Sequence, residues 1–289
     1  MDYFTNRSGL KLSYSLSIKN QNDRKINVIC QWLLSDVLFN CDFLIEYLEV
    51  NTFKFFVTGC GNSEGEYLYG GFERDAGDID DAVKFLVSQG YEVEAIIGYA
   101  KGGNDAIIYS ALFGDVKKII AIAPAVYMTT FNLPDFFRES IEEIQKSGEV
   151  RHIVLGKEYR FTSETLDEFM SLDMDYYCDK IKGDIYLIHG TDDDKVPYSD
   201  IVEYCKELGE KCKELFTLNN CDHFFTTEMD EVVEIIHKII ESYPYICKLK
   251  LDWIMNLFLY IAKLCFGKIA RFDKKKCKVF SFIVFLWSI

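Results

Sequence analysis

The sequence predicts an α/β class, with a mostly parallel sheet flanked by helices. Three observations predict it. Short, continuously apolar segments alternate with segments of helical period through most of the 289 residues. Strands that are apolar on both faces belong inside a layered sheet with helices above and below. Glycines stand where strands end, at Gly59, Gly61, Gly98, Gly102 and Gly103. An apolar fraction of 49% fills a large core, and 27% charged residues is ordinary for a soluble domain.

Residues 10–18 alternate as an early antiparallel strand, and 27–30 form a short apolar strand. Residues 36–49 have helical spacing, and 53–57 read as a strand stopped by Gly59-Cys60-Gly61. A helix over 75–88 buries Ala82, Val83, Phe85 and Leu86, and Gly90 ends it. Residues 93–98 are a strand, 102–112 a helix and 118–123 a strand. Residues 124–180 break this rhythm with helical stretches at 134–146 and 164–172 around a short strand at 151–155, which reads as a small helical lid inserted between two core strands. The rhythm returns with a strand at 184–188, a helix at 198–208, a strand at 213–218 and a helix at 228–242. Pro244 closes the unit, so the expected domains are 1–244 and an apolar, basic C-terminal extension, 245–289.

Charge is unevenly spread. Residues 245–289 carry nine Lys/Arg against two Asp/Glu, a net +7, and the whole chain carries −14, which leaves −21 on residues 1–244. An acidic body repels nucleic acid, so none is expected as a partner. The ten cysteines form no C-x-x-C pair and no zinc-spaced Cys/His cluster. Residues 1–7 lack the basic and apolar regions of a signal peptide. A cytoplasmic protein with reduced, mostly buried thiols is the expectation.

Three motifs carry chemistry. Gly98-Tyr99-Ala100-Lys101-Gly102, between a strand and a helix, has the form of a nucleophile elbow, G-x-S-x-G, with alanine where the serine stands. His189-Gly190-Thr191-Asp192-Asp193, with Val196-Pro197, puts a carboxylate on a turn after a strand. Asp222-His223-Phe224 follows the next strand. The order is that of a nucleophile, an acid and a histidine base. With Gly59-Cys60-Gly61-Asn62-Ser63-Glu64-Gly65 as a fourth motif, residues 8–243 resemble an α/β-hydrolase of the serine aminopeptidase-like group, close to its small esterases and acylglycerol lipases. The resemblance implies Asp193 as acid and His223 as base. It places the oxyanion donors at the backbone N–H groups of Leu33 and Lys101.

Two departures cut against activity. The methyl group of Ala100 cannot attack a carbonyl, so no acyl-enzyme forms by the family route. Cys30-Gln31-Trp32-Leu33 stands where the group has His-Gly, and Trp32 adds bulk where backbone must approach a substrate. Loss of one oxyanion donor typically costs about 3 kcal/mol of transition-state stabilisation. A single lost serine suits an engineered trap, whereas two separated departures point to natural loss. Ser63, Cys60 and Lys101 are conceivable substitute nucleophiles. A glycine-rich turn explains the first two, and helix packing or solvent explains the third. Asp192, Asp193 and Asp194 with Asp173 and Asp175 are explained by the acid motif and by solvated helix starts, so no metal and no cofactor is expected.

Residues 251–266 and 279–289 are apolar and aromatic, and lysines and Arg271 flank them. Neither run is a clean transmembrane span. Basic residues beside Trp, Phe and Leu suit a helix on an anionic membrane surface, peripheral to an intracellular membrane, and a helix docked on the acidic body is the alternative. The expected function is that of a catalytically inactive hydrolase-like protein whose lidded pocket binds a small acyl ligand or a protein partner. The alternative is an esterase, lipase or peptidase acting by an atypical mechanism.

Overall fold

The computed structural model describes residues 2–31, 41–132, 135–154 and 157–240. The expectations for Trp32, Leu33 and the extension 245–289 fall outside these residues. Ten strands are described: β1 (Asp2–Thr5), β2 (Lys11–Ser17), β3 (Lys25–Gln31), β4 (Thr52–Phe56), β5 (Glu92–Tyr99), β6 (Lys118–Ile122), β7 (Glu149–Val154), β8 (Lys157–Thr162), β9 (Asp184–Gly190) and β10 (Cys212–Leu218). The helices are α1 (Cys41–Tyr47), α2 (Phe72–Ser88), α3 (Lys101–Leu112), α4 (Asp135–Ser147), α5 (Ser163–Met170), α6 (Asp175–Cys178), α7 (Tyr198–Leu208) and α8 (Met229–Ile240). None is long and apolar enough to cross a membrane.

Eight strands form one sheet in the order β1-β2-β4-β3-β5-β6-β9-β10. β2 runs antiparallel to β1 and β4, and β4, β3, β5, β6, β9 and β10 run parallel to one another. The central strands are apolar on both faces because helices cover both. Ile96 and Ile97 of β5, Ile119 and Ile120 of β6, and Ile185 and Leu187 of β9 are all buried. Each such side chain contributes about 1.5–3 kcal/mol relative to exposure. The alternation at 10–18 is β2, as expected. Its partner β1 has only four residues, too few for a period-two signal.

The expected single strand at 151–155 is the first half of a hairpin, because β8 also alternates: Tyr159 and Phe161 are buried while Glu158 and Arg160 are exposed. The insertion is thus helical with a two-stranded hairpin added. Thr162 caps α5 by accepting from the Thr165 amide, and the Thr165 hydroxyl accepts from the Thr162 amide. Aromatic pairs fasten the insertion to the segment before α2. Tyr67 meets Tyr159 at 5.8 Å, Tyr69 meets Phe161 at 5.9 Å, and Tyr69 stacks on Phe169 at 4.2 Å between ring centroids. Such pairs contribute about 0.5–1.5 kcal/mol each beyond burial.

The expectation of uniformly reduced cysteines is corrected: Cys205 and Cys212 are joined in a disulfide, with Cα atoms 5.5 Å apart. Helix α7 and strand β10 are consecutive elements with a single 3-10 turn, Gly209–Lys211, between them, which folds the chain back and brings the two sulfurs together. No C-x-x-C spacing announces this. Cys30, Cys41, Cys60, Cys178 and Cys221 are free thiols.

Candidate active site

The elbow lies where β5 turns into α3. A Cβ at Gly98 would fall 2.0 Å from the Gly102 carbonyl oxygen, so only glycine permits the strand and helix to approach this closely. Ala100 has φ 48° and ψ −120°, a region rarely held by a residue with a side chain. The turn is closed by backbone bonds: the Ala100 amide donates to Ile122 O at 2.8 Å, and the Gly103 amide donates to Ala100 O at 2.8 Å. Strand register places Cys30 beside Gly98 and Tyr99 beside Ile122, which carries the ends of β3 and β6 alongside the elbow.

Asp193 stands on the loop after β9. Its Oδ1 accepts the amides of Lys195 (2.8 Å) and Val196 (2.7 Å), which fixes the carboxylate. His223 stands on the loop after β10, where the Asp222 carboxylate accepts the amides of Phe224 and Thr226 and the Thr226 hydroxyl. The structure brings the two sequence-predicted residues together: His223 Nδ1 lies 2.7 Å from Asp193 Oδ2. A carboxylate only accepts, so Nδ1 is the donor, which leaves Nε2, on the far edge of the ring, as the nitrogen that bears the lone pair whenever the ring is neutral. Burial would raise the Asp193 carboxyl, but the hydrogen bond and charge of His223, with His189 and the Val196 amide, outweigh it and hold the carboxyl below its ordinary value. Tyr99, beside Ala100, donates its hydroxyl to His223 O at 3.3 Å, and the two rings are 5.4 Å apart.

His189 also approaches Asp193, with Nε2 3.3 Å from Oδ2 and 3.0 Å from Val196 O. Burial lowers its affinity for a second proton. Neutral His189 therefore donates from Nε2 to the carbonyl and props the acid loop. It belongs to the acid motif, but no local pattern marks it as sharing the carboxylate.

The three alternative nucleophiles all hold other positions. Ser63 Oγ donates to Phe56 O at 2.7 Å and accepts the Ser13 amide at 2.9 Å, inside the turn after β4. Cys60 is fully buried, and burial raises its thiol well above the ordinary value. Of the two positions expected for Lys101, the structure shows helix packing and not solvent: the side chain is buried between α2 and α3. Its Nζ lies 2.6 Å from Asp75 and 3.0 Å from Asp105, over the ring of Phe72. Burial alone would favour the neutral amine, but Asp105 and Asp75 more than reverse that and keep Lys101 protonated.

The insertion bonds to α3, to the acid loop and to the turn after β4. Asn104 Nδ2 on α3 donates to Ala125 O, Asn132 bonds the carbonyls of Asp194 and Lys195, and Lys157 bonds the turn after β4. Among the described residues no cluster of His, Cys, Asp or Glu has the arrangement to hold a metal.

No protein-family profile and no curated protein matches the sequence. Solved structures do match in fold. Est1E from Butyrivibrio proteoclasticus, with ferulic acid bound, is 19% identical and superimposes with a TM-score of 0.65 over 83% of this chain and 97% of its own. An esterase, Pf2001, from Pyrococcus furiosus is 15% identical with a TM-score of 0.61 over 84% of this chain and 90% of its own. An alpha-beta serine hydrolase homologue from Coxiella burnetii is 14% identical with a TM-score of 0.57 over 83% of this chain and 96% of its own. The fold is the α/β-hydrolase fold, with a hairpin-bearing insertion after β6.

Proposed function

We propose that this is a non-catalytic α/β-hydrolase-like protein, which uses its lidded site to bind a small acyl ligand or a protein partner. The observation that carries the reading is Ala100. It occupies the strained elbow conformation, φ 48° and ψ −120°, yet presents only a methyl group. The positions of Ser63, Cys60 and Lys101 support it further, because Ser63 and Lys101 would have to leave buried bonds to act as nucleophiles and the Cys60 thiol is buried and raised well above its ordinary value. Est1E holds ferulic acid, and an aryl-acyl group of that size is a reasonable first ligand to test.

The intact His223–Asp193 bond favours a second reading, in which His223 acts as a base on water during ester hydrolysis. Hydrolysis of p-nitrophenyl acetate and butyrate by the full chain, Ala100→Ser and His223→Ala separates the two. The binding reading expects no turnover in the native chain or in His223→Ala, and a gain in Ala100→Ser that the further change His223→Ala removes. Native turnover abolished by His223→Ala would overturn it. The basic, apolar segment 245–289 is proposed to rest on an anionic intracellular membrane surface, with the body in the cytoplasm. Flotation with phosphatidylserine-containing vesicles, against phosphatidylcholine alone, tests that. Equal flotation, or none, would sink it.

A further inference from the structure

Lys157 begins β8 and reaches across the sheet edge to the turn after β4. Its Nζ donates to three backbone carbonyls of that turn, Gly59 O at 2.8 Å, Gly61 O at 3.1 Å and Ser63 O at 3.2 Å. The glycines make the convergence possible. Gly59 and Gly61 have φ of 80° and 50°, and a Cβ at Gly59 would fall 2.2 Å from the Tyr67 amide nitrogen. Three acceptors around one ammonium match its three N–H bonds. Converging backbone carbonyls are also a general means of replacing the hydration shell of a cation. The turn is therefore a cation cradle, and the insertion supplies the cation.

Two further features mark Lys157 apart from its neighbours. Arg151 pairs with Glu149 and Glu158, and Arg160 pairs with Glu149 and Glu66, whereas Lys157 makes no ion pair among the described residues. Partial burial without a counter-charge lowers its affinity for the proton. A groove of about 430 Å³, lined by Gly59, Tyr67, Lys157 and Tyr159 among others, leads solvent to the cradle.

We propose that the turn 59–63 is a binding site for a primary ammonium ion, and that Lys157 occupies it as a latch holding the β7–β8 hairpin down over the edge that carries Ala100 and His223. The latch governs access to the site whether or not the site catalyses, and it is independent of the binding reading. The same carbonyls accept a small alkylammonium ion once the lysine side chain is removed.

The test uses the full chain with Lys157→Ala and Lys157→Met. Amide hydrogen exchange is followed in peptides from 149–162 and from β5 and β6, and the rate of His223 modification by diethyl pyrocarbonate is measured alongside. Hairpin exchange is expected to rise about tenfold or more in both variants, the size expected from losing charge-assisted hydrogen bonds. The core strands stay unchanged, and His223 reacts several times faster. Propylammonium chloride slows exchange in peptides covering the 59–63 turn of Lys157→Ala, where it refills the cradle without tethering the hairpin, while tetramethylammonium chloride at equal ionic strength does not. Unchanged hairpin exchange, a rise shared equally by β5 and β6, or equal effects of the two salts would each overturn the proposal.

Discussion

Lys101 Nζ lies 2.6 Å from Asp75 Oδ2, a buried ion pair directly beneath the strained elbow. Asp105 takes the same ammonium at 3.0 Å, and Arg74 holds Asp75 from its other side at 2.9 Å. The residue that follows the elbow is thus anchored to α2 and α3. Lys101→Met would leave two buried carboxylates facing one arginine, and breaking a buried pair from one side costs about 3–5 kcal/mol. Urea unfolding is expected to show a loss of that size. Lys101→Met with Asp105→Asn should recover part of it, since Asp75 keeps Arg74. A loss in the single variant below about 1 kcal/mol would disprove the anchoring role.

Ala100→Gly should stabilise the protein. Holding a side chain at φ 48° and ψ −120° costs on the order of 1–3 kcal/mol. Glycine removes that strain, while its greater freedom in the unfolded chain takes back about 0.4–1 kcal/mol. The strain term is the larger, so a net gain of about 1 kcal/mol is expected from urea midpoints. Ala100→Ser keeps the Cβ and should leave stability near the native value. A destabilised Ala100→Gly would mean that the elbow is not strained.

The Asp193 carboxyl sits below its ordinary value because His223, His189 and the Val196 amide outweigh its burial. A depressed carboxyl adds stability that is complete above the unfolded-state value of about 4 and vanishes as pH falls through the lower folded-state value. Thermal unfolding between about pH 2 and pH 6 should therefore show a steeper acid-side decline in the native chain than in Asp193→Asn. Parallel declines would show that the pair contributes nothing to folding.

Much of this was legible in the sequence because parallel strands buried on both faces, such as 118–122 and 184–190, leave continuous apolar runs. Asp193 and His223 were legible because each follows a strand of the same parallel sheet, β9 and β10, so topology alone carries them to one edge. What stayed hidden depends on contacts between distant residues. Lys101 and Asp75 are 26 positions apart, and Lys157 and Gly59 are 98 apart. Nothing local distinguishes a latch lysine from a solvated one. Ser63 reads as a spare nucleophile because its two shortest bonds, to Phe56 O and the Ser13 amide, are to backbone groups with no side-chain signature. The alternation in β8 was present but lay inside a stretch dominated by helical spacing.

Cys205 and Cys212 are seven positions apart, and the second opens β10, an edge strand paired only with β9. The register shifts between Cys212 and Glu214, so the ladder is weakest where the disulfide holds it. Closing a loop this short stabilises by about 2–3 kcal/mol in the chain-entropy account. Reduction, or the double variant Cys205→Ser with Cys212→Ser, should lower stability by that amount and speed exchange in the first residues of β10. The far end of β10, which leads to His223, stays in register through Leu218 beside Gly190, so exchange in the 220–226 loop should change little. Peptide mapping under non-reducing conditions identifies the bond directly. Two free thiols there, with stability indifferent to reductant, would refute the disulfide. Accelerated exchange reaching 220–226 would instead mean that the acid–histidine loops depend on it.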